Sequence, residues 1–330
     1  MKPVRPLLKW AGGKRQLLSA LRPCYPARFD RYVEPFVGSG AVFFDLHAGG
    51  GLDGRRVVLA DVNPDLIGCY RVVRDRADAV IAKLAELEAE HRARGAACYY
   101  DVRDRRFNPE RARLGARVAE AYTPALAAMF IYLNRTGYNG LFRLNRRGGF
   151  NVPAGRYADP RICDADHVRA CARALAAHGV TIACAPFVET LADAQIGDFV
   201  YCDPPYAPVS RTANFAAYTA DGFTAMDQRR LREAVIAAAR RGAIVLLSNS
   251  SAPDIELAYG NAEARSAGLR MRRVAARRAI NSRAARRGPV DELIVTNAAI
   301  ARGRLRMAKS ALRPRHPDEL PAARTGESQS

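Results

Sequence analysis

Apolar and polar positions along this chain fall into recurring blocks. "RYVEPFVGSGAVFFDLHA" opens with a short apolar run, breaks at two glycines and continues as a helix from near Ser39. "RRVVLADVNPDLIGCYRVV" repeats the plan: an apolar strand ending in Asp61, a turn at Asn63-Pro64, then a helix. Two strand–turn–helix units in succession predict a parallel sheet with crossover helices. From about residue 74 the pattern changes. Residues 76–94 have amphipathic spacing, a basic segment "RDRRFNPERARLGAR" follows, and then an apolar helical run around "PALAAMFIYLN". The next stretch, "RTGYNGLFRLNRRGGFNVPAGRY", is rich in Gly, Asn, Arg and aromatics and reads as hairpin and loop rather than core, with Asn-Gly as its turn signal.

The α/β rhythm returns near residue 164. "DADHVRACARALAAHG" predicts a helix, "VTIAC" and "DFVYC" strands, and "FTAMDQRRLREAVIAAARRG" a helix capped by Thr224 and stopped by Gly242. "AIVLLSNS" predicts a buried strand, and "GLRMRRVAARRAI" with "VDELIVTN" the last strand pair. The expected organisation is an α/β domain built from residues 1–70 and 161–300, an insertion over 71–160, and a basic, Pro-rich, disordered tail over 301–330.

Composition adds a partner. The formal net charge is +19, from 52 basic and 33 acidic residues, which favours a polyanion. A compositional bias accounts for Arg over Lys, but not for the excess of base over acid. Five lysines remain in the chain, and two of them, Lys9 and Lys14, bound "KWAGGK", where a compact point charge is demanded in place of a planar fork. Seven scattered cysteines without a CxxC or a nearby histidine cluster predict reduced thiols, with neither disulfides nor a metal. No run of about 18 apolar residues and no signal-like N-terminus are present, so a cytoplasmic protein without membrane association is expected.

The stretch "VYCDPPY" carries the chemistry. An apolar strand stops at an acid, and two prolines then fix a rigid turn that ends in an aromatic ring. Open α/β sheets bind ligands at such strand ends. An exocyclic amine on a nucleobase is a poor nucleophile, because its lone pair is delocalised into the ring. Asp203 can accept one of its N–H groups and the Pro204 carbonyl the other, which favours a pyramidal nitrogen whose lone pair faces an electrophile. The prolines preorganise that carbonyl, and Tyr206 offers a face for stacking. Upstream, the turn at Gly38 and Gly40 is either a tight structural turn or one that lets a ligand approach the backbone, with Asp61 placed to accept hydrogen bonds from two ribose hydroxyls.

Taken together and in this order, "KWAGGK", "EPFVGSG", "NRTGYNGLFRLN" and "DPPY" resemble the Dam-type DNA adenine-N6 methyltransferases, over about Leu8 to Asn297. The resemblance implies a Rossmann-like S-adenosylmethionine-dependent methyltransferase sheet with an inserted, mostly helical DNA-recognition domain. It implies a flipped-out adenine in duplex DNA, a GATC site, no metal, and a monomer acting on the nucleoid. The methyl donor would contact Trp10, Lys14, Phe36, Gly38, Gly40, Asp61 and Asp203. Asp203, Pro204 and Tyr206 would act on the adenine. Tyr138 would insert into the base stack, Asn139 contact the site, and Leu141, Arg143, Pro153 and Lys9 read bases. Relatives often carry tyrosine where this chain has Thr136 and Leu144, and cysteine where it has Phe142, positions that bear on how the hairpin is set. Other arginines of the insertion and of residues 265–287 would bind phosphate. Two further readings stand beside this one: methylation of an RNA base or a glutamine amide, and a DNA-binding protein on a degenerate enzyme scaffold.

Overall fold

The computed structural model describes residues 4–10, 14–206, 223–277 and 289–299. At its centre lies a seven-stranded sheet: β1 (Arg31–Glu34), β2 (Arg56–Asp61), β3 (Val180–Cys184), β4 (Asp198–Cys202), β5 (Ile244–Ser250), β6 (Arg270–Arg277) and β7 (Pro289–Thr296). The spatial order is β3-β2-β1-β4-β5-β7-β6. The first five run parallel, and β7 is antiparallel to both β5 and β6.

Parallel strands need crossovers and bury both faces, and the sequence of β4, "DFVYC", is buried at every residue. The strand period of two divides its side chains. Phe199 and Tyr201 enter one core, while Val200 and Cys202 enter the other. In β5, Leu246 joins the first core and Val245 and Leu247 the second. Helices Ala41–Ala48 and Ala165–Leu175 cover the first face, and Ala225–Arg240 and Pro253–Gly260 the second. Each large apolar side chain fully buried this way contributes about 1.5–3 kcal/mol, so neither helical layer is dispensable.

Local signals set the boundaries. The hydroxyl of Thr224 accepts from the Asp227 N–H while the Asp227 carboxylate accepts from the Thr224 N–H, a reciprocal cap that starts the Ala225–Arg240 helix. The helix after β1 begins at Ala41 rather than Ser39, because Gly40, left-handed at φ 66°, forms its N-terminal cap. The residues 76–94 expected as a separate helix are the distal part of one run, Pro64–Arg94, bent at Arg76 (φ −138°, ψ 39°).

Helices Ala96–Asp101, Asn108–Leu114 and Pro124–Thr136 follow, the last buried from Leu126 to Thr136. The stretch after it departs from the expected hairpin. Its chain pairs through only two isolated bridges, Gly137 with Ala154 and Leu144 with Phe150. Asn139 and Gly140 are both left-handed (φ 54° and 63°), as Asn-Gly favours, yet they form a 3-10 turn. The reversal lies later, where the Asn145 N–H donates to the Gly149 carbonyl and the Gly148 N–H to the Asn145 carbonyl. Nor is the stretch all surface: Phe142, Phe150 and Val152 belong to the core. Phe142 stacks on Trp10 at 6.1 Å and packs on Phe130, which explains a large ring at that position. The expected C-terminal tail and residues 278–287 of the arginine run lie outside the described residues.

Candidate active site

In this sheet the chain moves outward from β1 in both directions, to β2 and β3 on one side and to β4 and β5 on the other. The crevice at such a reversal receives ligands in open α/β sheets. The glycine loop follows β1, Asp61 closes β2, and Asp203 follows β4. Period, turn chemistry and strand order thus bring three separate sequence signals to one rim.

Asp61 organises the near side. Its Oδ2 accepts from the Gly38 N–H at 3.1 Å and its Oδ1 from the Asn63 N–H at 3.0 Å. The Tyr70 hydroxyl donates to the Gly38 carbonyl at 2.7 Å, so the residue is held at both its N–H and its C=O. Gly38 is left-handed at φ 45°, and a Cβ there would press on the Trp10 indole at 3.0 Å, so both backbone and space require glycine. Phe36 packs on Phe187 at 5.3 Å and on Phe223 at 5.9 Å. Burial pushes the Asp61 carboxyl up to about 6, against the pull of its backbone hydrogen bonds.

Asp203 organises the far side. Lys14 Nζ lies 3.0 Å from its Oδ1, and the Ser248 hydroxyl donates to the same oxygen at 3.0 Å. Tyr201 on β4 reaches Ser248 on the neighbouring β5 at 3.0 Å. Lys14 is buried and also sits 4.2 Å from the centre of the Tyr206 ring, so one ammonium touches both the acid and the aromatic of the turn. Burial raises the Asp203 carboxyl to about 6, with Lys14 holding it down from higher values. Between the two sides stands Glu34, wholly buried and bonded by the Tyr32 hydroxyl at 2.9 Å. Burial, and then the charges of Asp203 and Asp61, push its carboxyl well above the usual range.

Gln228 and Glu292, braces of the proline turn, were not singled out in the sequence; Asn249 was, as either a cofactor neighbour or a structural residue. Gln228 donates to the Pro205 carbonyl at 3.1 Å, and Asn249 donates to Gln228 at 3.2 Å. Asn249, at the end of "LLSNS", is therefore a buried support for the turn. The Tyr206 hydroxyl donates to Glu292 Oε2 on β7 at 2.5 Å. These partners arrive from two remote strands and the Ala225–Arg240 helix, and only the polar end of β5 gave any hint of them.

The residues expected to meet DNA lie on the 137–155 stretch and beside it. Tyr138 is exposed, and its N–H donates to the carbonyl of exposed Pro153 at 2.9 Å. Asn134 accepts from the Lys9 N–H at 2.8 Å and donates to the Lys9 and Gly140 carbonyls at 2.6 and 3.0 Å. That clamp brings Lys9 onto Gly140, where any Cβ would stand 2.4 Å from the lysine's own. Lys9 Nζ reaches the Arg135 carbonyl at 3.3 Å and the Tyr157 ring at 4.2 Å. Asn139 and Leu141 are half-buried, Leu141 against the core. Arg143 is exposed and donates through Nε to Asn151 at 2.8 Å.

Some of the arginines expected to bind phosphate have partners within the protein. Arg106 pairs with Glu90 and Asp101, Arg111 with Asp65, and Arg103 with Asp104. On β6, Arg272 donates to the Ala20 carbonyl and Arg273 pairs with Glu256. These groups serve internal contacts, whereas Arg146 and Arg147 next to Arg143 are exposed.

Comparison with known proteins places this geometry. Residues 10–272 match the family of D12 class N6 adenine-specific DNA methyltransferases. A DNA adenine methylase of Vibrio cholerae is 38% identical over 295 residues, covering 89% of this chain and 96% of the relative. The DNA adenine methylase of Escherichia coli K12 is 37% identical over 294 residues, covering 89% and 95%. A type II methyltransferase of Lactococcus lactis, M1.LlaDCHI, is 36% identical over 295 residues, covering 89% and 95%. With a Rossmann-like sheet carrying its acids at the reversal point, this chain belongs to the D12 class of N6 adenine-specific DNA methyltransferases.

Proposed function

We propose that this enzyme methylates N6 of an adenine flipped out of duplex DNA at GATC, and that the corner formed by Asp203, Pro204 and Tyr206 acts on that base. The contact of Lys14 with both Asp203 and Tyr206 supports the reading most directly. A carboxylate fixed by an ammonium and a serine hydroxyl is preorganised to accept an N–H from the base. The carbonyl of Pro204, fixed by two ring-locked φ angles, accepts the second. Together they turn the N6 lone pair out of conjugation. The Tyr206 face stacks the purine, and Glu292 holds that ring in place. No general base is needed, because a methylated, cationic nitrogen releases its proton readily.

The family's methyl donor, S-adenosylmethionine, fits the residues present. It carries a sulfonium and an ammonium, and the rim offers two desolvated carboxylates, Asp61 and Asp203, beside a loop that a Cβ would fill. Trp10, Lys14, Phe36, Gly38, Gly40, Asp61 and Asp203 would hold it. When bound, it supplies an electrophilic methyl group and leaves as a neutral thioether.

Recognition falls to the 71–160 insertion. Tyr138 fills the gap left by the flipped base, whose extrusion costs a few kcal/mol. Asn139 contacts the site, Arg143 reads guanine in the major groove, and Lys9, Leu141 and Pro153 complete the reading. Residues 1–70 and 161–300 form the catalytic domain, and the enzyme works as a monomer on cytoplasmic, nucleoid DNA.

Incubation with tritiated S-adenosylmethionine and duplexes carrying or lacking GATC tests this. Label confined to GATC duplexes is expected. Equal labelling of both would remove the site assignment.

A further inference from the structure

Resting on the reading that the 137–155 stretch reads bases, we propose that Arg111 is a positioning residue for sequence discrimination, a strut that sets the tip of the base-reading loop against the cofactor side of the sheet. Arg111 stands on the short Asn108–Leu114 helix and is mostly buried. Its Nε lies 2.9 and 2.8 Å from the two carboxylate oxygens of Asp65, which is fully buried, and its Nη1 donates to the Gly148 carbonyl at 2.7 Å. One guanidinium therefore joins two distant segments.

Each segment leads to a site. Asp65 lies in the first turn of the helix that follows β2, and its N–H donates to the side chain of Asn63 at 3.1 Å. The Asn63 N–H in turn donates to Asp61, the acid assigned to the methyl donor. Gly148 lies in the reversal between Arg143 and Asn151. That reversal carries no regular strand ladder, so side chains must set its height. Asn108, one turn before Arg111, holds the loop's returning limb by donating to the Phe150 carbonyl at 3.0 Å and accepting from the Phe150 N–H at 2.8 Å. Farther along that limb the Val152 carbonyl accepts from the Tyr99 hydroxyl and from Arg103; Arg111 holds the tip itself, at Gly148. A buried ion pair is seldom more stabilising than an apolar pair of similar volume, so its value here lies in fixing geometry.

The test uses the full-length protein and two variants. Asp65→Asn/Arg111→Met removes both charges together and orphans neither. Arg111→Lys keeps a charge for Asp65 and gives up the planar fork. Methylated adenines on a random-sequence duplex pool define the preferred site of the unaltered enzyme. kcat and KM are then measured on that site and on duplexes with one flanking base changed. The expected result is a loss of about tenfold or more in the preference for the correct site in both variants, the scale of one misread base pair. On the preferred site, kcat should stay within about threefold of the unaltered enzyme. A preference within about twofold of the unaltered enzyme, or an equal fall in kcat/KM on both duplexes, overturns the strut. Labelling of no duplex by the unaltered protein overturns the functional reading itself, which separates the two failures.

Discussion

Burial, opposed at Asp203 by one ammonium, sets the charge state of the proposed catalytic corner. Burial holds both Asp61 and Asp203 near 6, above the ordinary aspartate value of about 3.9. Such acids bind protons more tightly folded than unfolded, so the stability they contribute is present at low pH and is lost as pH rises through about 6. A cationic methyl donor reverses that penalty. The rise in melting temperature on adding S-adenosylmethionine should therefore grow between pH 5.5 and 7.5 (approximate limits bracketing both carboxyls); a constant rise would contradict the assignment of these acids to the donor. Methylation should likewise fall as pH drops through about 6, as Asp203 becomes protonated. Lys14→Ala removes the group holding that carboxyl down, so the acidic limb of kcat/KM should move to higher pH. An unmoved limb would mean that Lys14 and Asp203 act separately.

At the scale of elements, the clamp between Lys9 and Gly140 joins the N-terminal segment to the stretch proposed to read bases. Asn134→Ala leaves three buried or half-buried backbone groups without their partner, and it should destabilise by about 3 kcal/mol in urea unfolding, near the upper end of the range for a lost buried partner. A change under about 1 kcal/mol would mean that other contacts hold the segment. Arg143→Ala should relax base choice by about 1–3 kcal/mol on substituted duplexes while sparing transfer itself. The strands were legible because period and strand-end chemistry are local, as in "DFVYC" followed by "DPPY". The loop was legible only in part. Asn139 and Gly140 do adopt the conformation their pairing favours, but which pair turns the chain depended on Lys9, Arg111 and Asn108, all distant in sequence. Ser248, Gln228 and Glu292 escaped notice for the same reason: each meets the proline turn only after the sheet has formed.

Across the whole molecule, the +19 charge is the remaining determinant. Although many described arginines are paired internally, the excess still has to meet the DNA backbone. Affinity for duplex DNA should fall linearly in log–log form as salt rises, through release of counterions. A flat response would contradict a phosphate-binding face. Membership of a DNA-specific adenine methyltransferase class sets aside the RNA, glutamine and non-enzymatic readings. The central claim, that the Asp203 corner activates the amine, is tested most directly by single-turnover methyl transfer in Asp203→Ala, with DNA binding measured on the same protein. The account predicts a fall in transfer of at least about 10²–10³-fold with duplex affinity largely retained; transfer at the unaltered rate would contradict it.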